Sequence, residues 1–181
     1  MGVLDRIEKA EIRDLLGKGW LTHDGMWFSH TYKEFGIEKA NALNKAAIKS
    51  LAPIEIDRMK QALGIDKESF DTFDELMDFM LAALELTMPQ SIFKKIRFSS
   101  PSRGLIHWEW ESGQCFAYKG MKQLGAIHRY RCGVMYRIGC WLEALGVTYS
   151  IHPEINGCLM HEKGACKGEF RVFSDLSRRG S

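Results

Sequence analysis

The sequence predicts an α+β fold in which a helical N-terminal half packs on a small antiparallel sheet, the C-terminal half running ββααββ. Three observations lead there. Apolar side chains recur three and four residues apart through residue 90, the spacing of helical faces. From Ser91 onward the period shortens to two, the spacing of half-buried strands. The 181 residues are 45% hydrophobic and contain no repeat or low-complexity linker, so one core and a single domain, 1–181, are expected. Within it the helical part is 1–90, the α+β part 91–173 and a polar, frayed tail 174–181.

The first helix is expected from Ile7 to about Phe35, with Ile12, Leu15, Leu16, Trp20, Trp27 and Phe28 at the spacing of one helical face. Gly17, Gly19 and Gly25 each cost about 1 kcal/mol relative to Ala in a helix interior, which suggests that another element approaches closely there. Gly36 is a stop signal. A second stretch, Ile37 to Leu51, puts Ala40, Leu43, Ala47 and Leu51 on one side. Pro53 is expected to break or restart it, and Ile54 to Leu63 gives a short helix ended by Gly64. Thr72-Phe73-Asp74-Glu75 reads as a capping box that opens a helix with Leu76, Phe79, Met80, Ala83 and Leu86 inward and Pro89 beyond its end.

Ile92 to Phe98 and Leu105 to Trp110 read as two strands joined by a turn around Ser100 to Gly104. In the second strand Ile106, Trp108 and Trp110 share one face, and His107, Glu109 and Glu111 the other. A short helix, Phe116 to Met121, and a longer one, Ile127 to Leu145, follow, the latter ended by Gly146. Val147 to His152 and Gly168 to Phe173 alternate as strands.

A net charge of +2 argues against a dedicated nucleic-acid binder. Lys94, Lys95 and Arg97, and again Arg129, Arg131 and Arg137, cluster either as solvated surface or as an anion site. Met1 to Leu16 has no apolar h-region, and the longest nearly apolar run, Phe79 to Leu84, is too short to span a bilayer, so no membrane association and a cytoplasmic location are expected. Five cysteines in such a setting read as thiols or metal ligands rather than disulfides.

Two constellations could carry chemistry. In Trp20-Leu21-Thr22-His23-Asp24-Gly25-Met26-Trp27-Phe28-Ser29-His30, helical spacing puts His23, Trp27 and His30 on one stripe above Trp20. Such a wall could stack a flat ligand or hold a metal or a proton; alternatively the indoles are core and the histidines edge residues. Asp24, beside the stripe, could orient a histidine or cap a neighbouring segment. The second set is Cys115, Cys132, Cys158 and Cys166, with His161 as a further donor. Soft ligands from separate segments can close a tetrahedron around zinc or iron, though buried cysteine is equally a small hydrophobe and no CxxC spacing occurs. Cys140, beside Trp141, reads as core. His107, Glu109 and Glu111 read either as a solvated face or as acid–base groups. No GxSxG, Walker, HExxH or GxGxxG pattern is present.

The segment Trp20 to Phe28 resembles the W-x-x-H-D-G-x-W-F stretch of a bacterial and archaeal family of cytosolic proteins, some labelled as similar to L-2-amino-thiazoline-4-carboxylate hydrolase. The placement of Cys115, Cys132, Cys158 and Cys166 is similar to that family's scattered cysteines, with Phe116-Ala117-Tyr118 and Leu159-Met160-His161 standing where the family has proline-rich stretches. The resemblance implies a small-molecule-binding fold of the 4-vinyl reductase type and directs attention to His23, Asp24, Trp27 and the four cysteines.

The expected function is a cytosolic small-molecule-binding domain. Its pocket would lie between the first helix and the sheet, lined by Trp20, His23, Asp24, Trp27, His30 and Trp108, with a zinc or iron site at the cysteines. The alternative is a hydrolase of a small cyclic amide- or amidine-like substrate using a cysteine nucleophile or a metal-bound water. A homodimer through exposed parts of the helical half is a third expectation.

Overall fold

The structure is a computed structural model and describes residues 2–173; the tail expected to fray, 174–181, lies outside the described residues. A short 3-10 turn, Val3–Arg6, leads into α1, Lys9–Leu63. Gly36 breaks α1 into arms 9–35 and 37–63, because its φ of 78° is open to glycine but strained for other residues. Gly64 ends the second arm in the left-handed conformation, its N–H directed to Gln61 and Lys60 carbonyls. The expected break at Pro53 does not occur. Ile48, Ala52, Ile56 and Met59 are buried along one side of the second arm, and that packing outweighs one backbone bond lost on the exposed side. The buried stripe is accordingly displaced from the expected Ala40, Leu43, Ala47 and Leu51: Ala40 is buried, but Leu43 and Ala47 are exposed.

α2, Phe73–Thr87, starts as the capping pattern predicts: Thr72 Oγ1 accepts the Glu75 N–H at 3.1 Å. Glu75 reaches back one residue further than expected, to the Asp71 N–H at 3.0 Å. Leu76, Phe79, Met80 and Ala83 are buried, whereas Leu86 is exposed.

Ile92 and Phe93 belong to a one-turn helix, α3, Gln90–Phe93, so the first strand is shorter than predicted: β1 is Ile96–Ser99. Asp14 of α1 fixes that turn, accepting the Gln90 N–H at 2.5 Å. Gly17 lets Pro89 approach, since a Cβ there would stand 2.9 Å from the proline ring. β2, Leu105–Trp110, alternates as expected, with Ile106, Trp108 and Trp110 buried. α4 is Phe116–Gln123. The predicted helix Ile127–Leu145 splits into a 3-10 turn, Ile127–Arg129, and α5, Val134–Ala144, with Cys132 and Gly133 between them. β3, Tyr149–His152, starts later than expected, and an unanticipated short helix, α6, Leu159–Lys163, precedes β4, Lys167–Val172. The C-terminal half therefore carries two short helices beyond the predicted ββααββ order, α3 before β1 and α6 in the connection between the neighbouring strands β3 and β4.

The four strands form one antiparallel sheet in the order β1-β2-β4-β3. Opposite Trp108 on β4 stands Gly168, where a Cβ would come within 2.5 Å of the indole ring. The Trp108 ring packs on Phe170 at 5.0 Å between centroids, and both join the core with Met135, Ile138, Trp141 and Leu142 of α5. The opposite sheet face is polar: Arg97 pairs with Glu109 across β1 and β2, and Lys95 with Glu111. This is the solvated arrangement of His107, Glu109 and Glu111 rather than a concave acid–base site. No helix among the described residues is long and apolar enough to cross a membrane.

Candidate functional site

The first arm of α1 touches the rest of the molecule along only part of its circumference. Phe28 and Ser29 are its buried residues before Gly36. His23, Trp27 and His30 do share a stripe, and His23 and Trp27 meet edge to face at 6.5 Å. The stripe nevertheless faces outward: Trp27 is 66% exposed, and His23 and His30 are exposed beside it. The expected wall of a cavity is thus an outer surface, because the register that buries Phe28 turns positions 23, 27 and 30 away from the core. Trp108 is fully buried against Phe170 in the sheet core and does not line the pocket either.

Trp20 and Asp24 behave differently. They stand at the edge of a pocket of about 100 Å³ between α1, α5, β1 and α4, with Ile48, Leu84, Ile96, Phe116 and Ile138 among its apolar walls. Voids of about this order hold benzene-sized ligands. Arg137 of α5 also lines the pocket, its guanidinium lying 4.5 Å from the centroid of the Trp20 ring. Glu55 of α1 fixes that arginine through an ion pair of 3.3 Å and accepts the Trp141 indole N–H at 2.8 Å. Both members of the ion pair are largely buried, so the charge on Arg137 is held at the pocket rather than left to roam. Sequence reading placed Arg137 only within a basic cluster. Its other members, Arg129 and Arg131, pair with Glu38 on the surface.

Next to the pocket lies a second, tighter void of about 10 Å³, room for a single water or ion. Cys115, Cys132, Cys158 and Cys166 all line it. They come from four segments: Cys115 precedes α4, Cys132 precedes α5, Cys158 precedes α6, and Cys166 precedes β4. Three of the thiols sit at or just before the start of a helix, near backbone N–H groups of the turn that follows: Ala117 and Tyr118 for Cys115, Val134 and Met135 for Cys132, and Met160 and His161 for Cys158, with no side-chain cap hydrogen bond formed at Cys115 or Cys158. Such N–H groups favour a thiolate. Burial outweighs them: the Cys115 and Cys166 thiols are pushed up to about 12, chiefly by desolvation, and those of Cys132 and Cys158 are raised. The Trp110 indole N–H, which lines the void, is buried without a hydrogen-bond partner, and the Trp108 indole N–H lies against the Cys166 thiol and lowers it.

The chamber and the pocket share a wall, since Ala117, Tyr130, Val134 and Met135 line both. The Tyr130 hydroxyl, inside that wall, accepts the Gly133 N–H at 2.9 Å. His161 does not line the void. Its Nε2 instead stands 3.0 Å from Nδ1 of His128. Cys140 is core, as expected.

Residues 4–95 match a family of unknown function, DUF6125. The match covers just over half of the sequence. The chain belongs to that family. The DUF6125 match takes in both arms of α1, α2 and α3, including the Trp20–His30 segment, and stops before the sheet and all five cysteines. It carries no link to L-2-amino-thiazoline-4-carboxylate hydrolases. No curated protein and no solved structure matches the chain.

The chamber's fit to a metal is one of donor chemistry. Four thiols from four segments, with backbone N–H groups near three of the sulfurs and buried indole N–H groups beside them, suit a soft, thiolate-bound ion such as zinc or iron. Among the described residues no three histidine, cysteine or acidic side chains are drawn together as a preformed metal cluster, so an ion would have to pull the sulfurs inward.

Proposed function

We propose that this DUF6125 protein is a small-molecule-binding domain in which a thiolate metal centre lies behind the floor of the ligand pocket. The observation that carries the reading is the wall shared by the pocket and the four-cysteine chamber, through Ala117, Tyr130, Val134 and Met135. A ligand with a compact apolar body would fill the pocket, and its polar end would meet the Trp20-stacked Arg137 and Asp24 at the mouth. Zinc or iron, when bound, would hold the segments carrying Cys115, Cys132, Cys158 and Cys166 together and so fix that floor. The reading is compatible with a small-molecule-binding fold of the 4-vinyl reductase type and with a cytoplasmic location.

The hydrolase alternative draws less support. A cysteine nucleophile must be a thiolate, and burial pushes these thiols away from that form. Four protein thiolates on one ion would also leave no open coordination position for substrate or water.

The test is metal analysis of natively purified protein, together with mass spectrometry of small molecules released on denaturation. Stoichiometric zinc or iron is expected, lost on Cys158→Ser, and a co-purifying molecule is expected to be lost on Ile138→Trp, which fills the pocket. Protein that takes up neither metal after incubation with zinc or ferrous iron, and releases no molecule, would sink the reading.

A further inference from the structure

We propose that the outward face of the first arm of α1 is a two-fold interface with a second, antiparallel copy of this chain. A solvent-facing helix surface is ordinarily polar. Here it carries Leu15, Leu16, Met26 and Trp27, each more than half exposed, with Ile12, Gly19, His23 and His30 between them. At 100° per residue these positions form one band running straight away from the buried Phe28 side.

Gly19 lies in the middle of that band. A helix-interior glycine loses stability relative to alanine and here serves no neighbour, since a Cβ at Gly19 would meet nothing within 4 Å. Gly17, two residues earlier, does admit Pro89. A helix approaching from outside the chain would find room at Gly19.

The band is self-complementary, as an isologous interface requires. An antiparallel copy centred between Leu21 and Thr22 sets Leu16 level with the partner's Trp27, while Gly19 falls within one residue of the partner's His23 and Leu15 within two of the partner's Met26. The flanks match in charge. On one side Lys9 meets the partner's Glu34, and on the other Glu11 meets the partner's Lys33. Among the described residues Lys9, Lys33 and Glu34 make no ion pair within the chain, whereas Arg13 and Glu38 are already engaged. A parallel copy would set Lys9 beside Lys9 and Glu34 beside Glu34, repelling at both ends. Trp20, at the edge of the band, stacks on Arg137, so the second copy would lie alongside the pocket mouth.

The experiment is sedimentation equilibrium of the full chain from about 1 to 100 µM, a range spanning common self-association strengths. Twice the 20.7 kDa chain mass is expected, falling to the single-chain mass for Leu16→Glu and Trp27→Glu while helical circular dichroism is unchanged. Lys9→Glu and Glu34→Lys should each weaken the dimer about tenfold or more, the scale of a lost and reversed charge pair, and combining them should restore it. These surface substitutions leave the core untouched. A wild-type monomer throughout the range, a dimer that survives both Leu16→Glu and Trp27→Glu, or a double charge swap that fails to restore association would each overturn the proposal.

Discussion

The first arm of α1 and the interior of the C-terminal half both carry residues with recognisable chemistry, and they use them in opposite ways. The arm displays two imidazoles and an indole in a regular stripe, and the stripe faces water. The C-terminal half scatters four cysteines over some fifty residues of sequence, and the fold gathers them around one void. Spacing within one helix fixes which side chains share a face. It does not fix which way the face points, because that is decided by the partner the helix packs on. Convergence from separate segments is the reverse case. It leaves no local pattern, yet it is the stronger mark of a site, since four thiols do not meet in a core without topology bringing them there.

The two tryptophans at the heart of these regions test the contrast most sharply. Trp108 is fully buried and Trp27 is 66% exposed. Trp108→Ala should cost about 3–5 kcal/mol, the range for deleting a large buried aromatic. Trp27→Ala, in dilute solution, should stay within about 0.5 kcal/mol, as surface substitutions do. Urea denaturation of both variants gives the comparison, and equal losses would mean that the arm is packed against something within the chain.

Two glycines extend it. At Gly168 an added Cβ would collide with the Trp108 ring and the His152 carbonyl, so Gly168→Ala should destabilise by about 2 kcal/mol through overpacking. At Gly25 an added Cβ meets nothing within 4 Å, and Gly25→Ala should stabilise by about 1 kcal/mol through helix propensity. Opposite signs in one thermal melt series are the expected result; a loss at both positions would show that the arm is crowded at Gly25 too.

Much of the scaffold was legible in the sequence because it is written in local chemistry. Gly36 and Gly64 stop helices as their freedom at positive φ allows, Thr72 caps α2, and the period of two in Leu105–Trp110 marks the buried strand face. What was illegible depended on distant contacts. Pro53 stays inside a helix because the opposite side of the arm is buried. Ile92 and Phe93 curl into α3 because Asp14, far away in sequence, receives the N–H groups that open it. Arg137 looked like one of three clustered basic residues, and only the fold separates it from Arg129 and Arg131 by placing Glu55 and Trp20 against it.

The thiols supply a pH contrast. Cys115 and Cys166 are raised in the folded chain from an ordinary value of 9.0 to about 12. A raised folded value means that the protonated form is favoured by folding, so its contribution is complete below about pH 9 and is lost as pH climbs toward 12. Metal-free protein should therefore lose melting temperature steadily between pH 8.5 and 11, and Cys115→Ala should flatten the decline. With metal bound the sign reverses, because the ion holds thiolates and protons compete with it as pH falls. A melting profile indifferent to alkaline pH in the metal-free chain would mean that the sulfurs are not shut away from water.

Asp14 gives the mildest test and returns to the outer arm. Its carboxyl is lowered from 3.8 to about 2, first by Lys18, the residue four positions on, and further by hydrogen bonds from Ser91 and Gln90. A lowered folded value makes the ionised form the stabilising one. Its contribution is present above pH 4 and disappears as pH falls toward 2. Wild type and Asp14→Asn should thus differ slightly in melting temperature near pH 6 and converge by about pH 2. The difference is small because the carboxylate is partly exposed, and solvent screening weakens its ion pair. Should the two curves stay parallel down to pH 2, the charge on Asp14 would be irrelevant, and its neutral hydrogen bonds alone would be tying α3 to the arm.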